Sequence, residues 1–201
     1  MSKLIITSTK YKCIREIVII VAMLNIPNVF LETKYNDDRI ERIKEKFTQP
    51  ESDHITLVNI YNQWKAHKTN IKWMEVNLIN RRAMQKVHEI KKQINAILKK
   101  KGIDTKQSCG RNIEMIKRCI TECYFTNVAK LDGKEYKTMM TGVKCFLHPT
   151  SSLTKMGIKP TYVIYHELLL TTQSYMKYVT EIEGKWLIEL ENDFFTLLSS
   201  Y

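Results

Sequence analysis

The sequence predicts an α+β protein, a helical bundle at the N-terminal end followed by a small β-barrel with flanking helices. Three observations carry this expectation. Apolar residues recur at helical spacing through most of residues 1–107, the period shortens to two beyond residue 130, and charge divides along nearly the same line. Residues 1–108 hold 21 Lys and Arg against 11 Asp and Glu, a net of +10, whereas residues 109–201 hold 11 against 10. With 201 residues, 44% of them hydrophobic, the chain can bury a core. The overall charge of +11 favours a polyanionic partner, nucleic acid or an anionic membrane surface; the plainer alternative is a solvated lysine-rich face.

The elements follow in order. Residues 12–25 are apolar nearly all round after Glu16, which predicts a buried helix ended by Asn25-Ile26-Pro27. The run "IVIIVAML" has eight residues, far short of the ~20 that span a bilayer. Ile40, Ile43 and Phe47 give residues 35–47 a thin apolar stripe. Ser52-Asp53 is an N-cap signal for a helix over about 53–67 that shows Leu57, Ile60, Tyr61 and Trp64 on one face. Ala83, Val87, Ile90, Ile94 and Leu98 predict a helix over 75–101, stopped by Gly102 after three lysines.

"TKQSCGRN" reads as a linker, which sets expected domains at 1–107 and 108–201. A helix over 112–129 follows. Strands are expected at 135–141, 143–148, 161–172 and 175–182, with Tyr162, Ile164, His166, Leu168 and Leu170 on one face. A closing helix over about 184–198 offers Trp186, Leu187, Leu190 and Phe194. Five cysteines without regular spacing, and a start that lacks an apolar core before a cleavage site, point to free thiols in a reducing intracellular compartment.

Most catalytic chemistry has no foothold here. The six glycines cannot build a G-x-x-x-x-G-K-[ST] phosphate loop, and there is no G-x-G-x-x-G. His166-Glu167 begins like a zinc-protease motif, but Leu170 stands where the second ligand belongs. Cys119, Cys123, Cys145 and His148 are the ligand types of a structural zinc site. On a strand, however, Cys145 and His148 point to opposite faces, so buried thiols and a strand-end histidine are the expectation, with no metal. No catalytic residue is assigned, and the chain alone is not expected to hydrolyse a nucleotide.

Several stretches then resemble one family in order and spacing. They are "AMLNIPNVF" (22–30), "DHITLVNIYNQWK" (53–65), "NLINRRAMQKVHEIKKQI" (77–94), "KRCITECYFTNVAKLDGKEYKTM" (117–139), "CFLHPTSSL" (145–153) and "YVIYHELLLTTQSYMKYVTEIEGKWLIEL" (162–190). Together they are similar to the C-terminal region of DEAH-box ATP-dependent RNA helicases of the pre-mRNA-splicing and ribosome-assembly type. The resemblance implies a helical ratchet-like domain followed by an OB-fold. It implies single-stranded RNA as partner, with RecA-like and winged-helix domains and spliceosomal or ribosome-assembly proteins beside it, in the nucleus. ATP and Mg²⁺ belong, by the same resemblance, to RecA-like domains whose motifs this sequence lacks, so no cofactor is expected in this chain. Departures from the family pattern are Ile14 for a hydroxyl residue, Ser52 for glycine, Met74 for cysteine and Asn192 for proline.

Candidate RNA contacts follow. Arg81, Arg82 and Lys86 open the basic helix and suit phosphates, where cations give affinity without sequence preference. His148, Thr150, Ser151 and Ser152 sit by family analogy at an OB-fold rim, where hydroxyls and imidazole reach phosphate or sugar oxygens; alternatively Pro149 and the hydroxyls only build a turn. Tyr124, Phe125, Tyr162 and Tyr165 are stacking candidates with a core role as the alternative, and Trp64, Trp73 and Trp186 are expected in the core. A protein-interaction scaffold is the competing function. A membrane binder lacks the amphipathic basic helix it requires.

Overall fold

The computed structural model describes residues 2–31 and 38–190. Its helical half holds α1 (Ser2–Lys10), α2 (Ile14–Leu24), α3 (Asp38–Glu45), α4 (Asp53–Ala66), α5 (Ile71–Val76) and α6 (Arg81–Lys100). Then come α7 (Ile113–Tyr124), a 3₁₀ turn (Phe125–Asn127), β1 (Val128–Asp132), β2 (Glu135–Thr138), β3 (Lys144–Leu147), α8 (Ser152–Lys155), β4 (Tyr162–Leu170), β5 (Ser174–Ile182) and α9 (Gly184–Ile188).

The strands close into a barrel in the order β1-β2-β3-β5-β4. All neighbours are antiparallel except β3 and β5, which run parallel through Phe146–Tyr175 and Leu147–Met176. Ala129, Tyr136, Cys145, Leu153, Val163, Tyr165, Met176 and Val179 fill the barrel. A larger core joins both halves: α2, buried from Ile17 to Met23, packs with α4 and α6 and is continuous with Ile116, Ile120, Val128, Ile164, Ile182 and Trp186. Helix α2 is thus the centre of the bundle, as its all-round apolar sequence requires.

Several element bounds differ from the sequence expectations. A separate α1 precedes α2, broken from it at Lys12, whose φ is 52°. Helix α2 starts at Ile14, and Cys13 at its cap makes no side-chain cap bond. The expected helix over 75–101 is two helices. Leu78 takes a left-handed φ of 55°, and Asn80 restarts the chain by accepting the Ala83 N–H at 3.1 Å. Within 35–47, helix spans α3, and residues 35–37 lie outside the described residues.

The expected helix over 112–129 ends at Tyr124, because Val128 and Ala129 are wholly buried as the first barrel strand. The strand after Glu135 stops at Thr138, and the next begins at Lys144. The closing helix is seen as α9; residues 191–198, with Phe194, and the departure Asn192 lie outside the described residues.

The single-face expectation for β4 holds only for part of the strand. Tyr162 and Ile164 pack with the helical core, Val163 and Tyr165 fill the barrel, Leu168 packs on the barrel core, and Leu170 is 75% exposed. Its partner strand explains the change of parity. Tyr178 has a φ of 52°, so Met176 and Val179, three apart, both enter the barrel.

Candidate nucleic-acid interface

A cleft of about 770 Å³ lies between the two halves. One wall is apolar and comes from the helical half. It is made by Met23, the stretch 26–31, and Leu57 and Ile60 of α4. Proline ends α2 near this wall and leaves residues 28–31 extended, where they find backbone partners across the bundle. Asn80 N–H donates to Val29 C=O at 2.9 Å, and Leu31 N–H donates to Leu78 C=O at 2.7 Å. Phe30 is further held by the Phe47 ring at 6.0 Å.

The opposite wall is the lip 148–152 with Lys155, Lys177 and Tyr178. His148 N–H continues the β3–β5 pairing by donating to Met176 C=O at 3.0 Å, and Ser151 N–H closes the turn onto His148 C=O at 2.9 Å. His148 Nδ1 accepts the Thr150 N–H at 3.2 Å and lies 2.7 Å from the Thr150 hydroxyl. An accepting Nδ1 leaves Nε2 as the protonated nitrogen, so the imidazole keeps one N–H to donate. Burial, then Lys177, lowers its pKa, while Asp53 pulls the other way. Thr150 is exposed. Ser151 is 2% exposed, and its hydroxyl is buried with no partner among the described residues.

Asp53, the first residue of α4, joins the walls. One carboxylate oxygen accepts the Ser152 N–H at 2.7 Å and the Ser152 hydroxyl at 2.6 Å, and the other accepts the Val179 N–H at 2.8 Å. Its neighbours extend the seam. Ser52 hydroxyl and His54 Nδ1 lie 2.7 Å and 2.8 Å from the Thr180 hydroxyl, Glu181 N–H donates to Glu51 C=O, and Lys117 pairs with Glu51 at 2.6 Å. Ser52 also caps α4 by accepting the Ile55 N–H. His54 is fully buried, and burial pushes its pKa down to about 3. Across the cleft Lys155 and Lys44 both pair with Glu41, which holds the Glu41 carboxyl below its usual range. Lys177 has no carboxylate partner among the described residues; its ammonium lies 5.2 Å from the Tyr178 ring centroid.

Of the residues expected from the sequence, His148, Thr150, Ser151 and Ser152 gather on this wall. The Ser152 proton is committed to Asp53. Arg81, Arg82 and Lys86 are exposed on the first turns of α6 and do not line the cleft, although Asn80 just before them is bonded to its apolar wall. None of Tyr124, Phe125, Tyr162 and Tyr165 lines it either. Tyr165 fills the barrel, and Tyr124 meets His166 Nδ1 at 3.1 Å. Trp64 and Trp186 are buried, and Trp73 is half-buried. Cys145 sits in the barrel core, whereas Cys119 lies in the larger core with its thiol donating to Leu4 C=O at 3.8 Å.

Sequence reasoning missed Asp53, Lys44, Lys155 and Lys177 as cleft residues. Asp53 had a visible signal, a carboxylate where an N-cap serine already serves the helix end. The isolated lysines had none.

Comparison with known proteins agrees with this architecture. The family described as helicase-associated domain (HA2), ratchet-like, matches residues 1–57, and the oligonucleotide/oligosaccharide-binding (OB)-fold family matches residues 116–193. The pre-mRNA-splicing factor ATP-dependent RNA helicase prp22 of Schizosaccharomyces pombe is 36% identical over 197 residues, 97% of this chain. The chain spans 17% of that relative's length. With the ratchet-like match, the OB-fold match over the five-stranded closed barrel and identity along 97% of this chain, the protein is a helicase-associated ratchet-like and OB-fold module, similar to the C-terminal module of a splicing RNA helicase.

Proposed function

We propose that this chain is the accessory RNA-gripping module of an ATP-dependent RNA helicase that remodels RNA in pre-mRNA splicing or ribosome assembly in the nucleus. One observation carries the reading: both halves contribute to a single cleft with an apolar wall facing a wall of hydrogen-bond donors. Bases rest against the apolar wall at 26–31. The Thr150 hydroxyl and the His148 Nε2–H reach sugar and phosphate oxygens, while Ser151, whose hydroxyl is buried, shapes the lip beside them. Lys177 neutralises a phosphate, and Arg81, Arg82 and Lys86 serve the strand beside the cleft. Such contacts grip without reading sequence. ATP and Mg²⁺ bind in RecA-like domains of the parent helicase, and this chain is their partner along with the winged-helix domain and ribonucleoprotein subunits.

The test is binding of short single-stranded RNA across a salt series. Affinity falls steeply with salt, and the double variant Thr150→Ala, Lys177→Gln binds about tenfold more weakly, equivalent to about 1.4 kcal/mol. A second reading, a docking scaffold for a protein partner, is favoured by the apolar wall and by the tie of Lys44 and Lys155 to Glu41. Micromolar binding of a helicase cofactor protein, with no binding of RNA even at low salt, decides for it.

A further inference from the structure

We propose that the helical half carries a second phosphate-binding surface, centred on Arg15, Lys65 and Lys91, at the end of α2 and α4 away from the cleft. It holds the RNA backbone after the strand leaves the cleft, and so rests on the reading of the chain as an RNA-binding module. The placement comes from the packing. Met23, near the C-terminal end of α2, and Asp53 to Ile60, at the N-terminal end of α4, line the cleft. Arg15 is at the other end of α2, eight residues and about 12 Å from Met23. Lys65 is in the last turn of α4. Helix α6 packs on α2 and brings Lys91 between them.

The charges there are crowded. Lys91 is half-buried, and its ammonium is held below its usual range by burial, then by Lys65 and Arg15. His88, one turn away on α6, is lowered by burial and also feels Lys68, Lys91 and Lys92. None of these five cations has an ion pair among the described residues. Two carboxylates are close. Glu16 is buried and accepts from the Ser108 hydroxyl at 2.6 Å and the Cys109 thiol at 3.8 Å, and Glu89 accepts from Gln85 at 3.0 Å. Neither offsets five cations, so an anion bound here relieves a repulsion already built into the fold. Lys91 is also pre-positioned, with its ammonium 5.9 Å from the Tyr61 ring centroid.

The chemistry favours phosphate over an acidic peptide. A docked peptide draws affinity from apolar anchors in pockets. No large apolar side chain of α4 is exposed, and on α6 only Ile97 is. Phosphates need only the cations, and four of the five are lysines, which act as point charges without directional demands.

The experiment uses the full chain and two oligouridylates: one of about 6 nucleotides, within the span of a single OB-fold cleft, and one of about 20. The variant Lys65→Gln, Lys68→Gln, Lys92→Gln changes only exposed side chains and is checked for an unchanged thermal melt. It is expected to leave the short RNA's affinity unchanged, to weaken the long RNA about tenfold or more, and to reduce the long RNA's salt slope by about 2. Equal affinity of variant and wild type for the long RNA overturns the proposal, as does an equal loss for both lengths. Failure of the cleft reading looks different: the short RNA is not bound by wild type, while the long one still binds and still depends on the three lysines. Polyglutamate bound by wild type and lost in the variant, with long RNA unaffected, overturns phosphate in favour of an acidic protein.

Discussion

Asp53 and His54 sit side by side at the seam between the halves. Asp53 satisfies three donors from the barrel, and His54 is sealed against Thr180 with its second ring nitrogen buried and without a partner among the described residues. A buried neutral imidazole makes stability depend on pH. Its folded pKa of about 3 lies below the ordinary value of 6.5, so the unfolded chain takes up a proton that the folded chain refuses. Stability is full above pH 6.5 and is lost as pH falls towards 3, by about 1.4 kcal/mol per unit. Urea unfolding of wild type at pH 6.5 and 5 is expected to show this loss, and His54→Leu to remove most of it. An equal slope in the variant would exclude His54 as its source. At this scale the sequence was partly legible. The stretch "HPTSSL" was singled out as a strand end crowded with turn-forming and hydroxyl residues, and its place at a rim came only from the family resemblance. Lys177 was not singled out, because its role arises only when β5 is folded beside β3.

Helices with their own end signals were readable, and elements defined by partners were not. Helix α4 begins where Ser52 said it would, and that serine also reaches Thr180, which a glycine there would not. Helix α6 ends as Gly102 foretold. With φ at 72°, Gly102 N–H donates to Lys99 C=O and Ile103 N–H to Leu98 C=O, while Ile103 packs near Leu98. By contrast β1 was read as the tail of α7, since Val128 has the spacing of the helix face and only β2 and β4 make it a strand. The break between α5 and α6 was hidden by an unbroken apolar period. The Gly102 cap gives a direct test. Gly102→Ala forces a side chain into left-handed backbone and is expected to lower stability by about 1 kcal/mol in chemical denaturation, with nothing within 4 Å for the added methyl to strike. An unchanged midpoint would mean that the cap does not hold the helix end.

For the molecule as a whole, the sequence showed two regions with different periods and charge but not how deeply they are joined. The largest core draws mostly on α2, α4 and α6 and also on α7, β4, β5 and α9. Two halves that share a core melt together. Scanning calorimetry is therefore expected to give one endotherm whose van 't Hoff and calorimetric enthalpies agree; two resolved transitions would show that the halves are independent. The charge asymmetry was legible as a total, yet its placement was not, because most basic residues of the helical half lie off the cleft.

The seam through Glu51, Ser52, Asp53 and His54 also sets the gauge of the slot it borders. Widening that slot would mean tearing backbone and carboxylate bonds away from β5, so the two walls do not work as jaws. The slot therefore keeps a fixed width, and any movement that opens or closes over it has to be supplied by a surface other than these two.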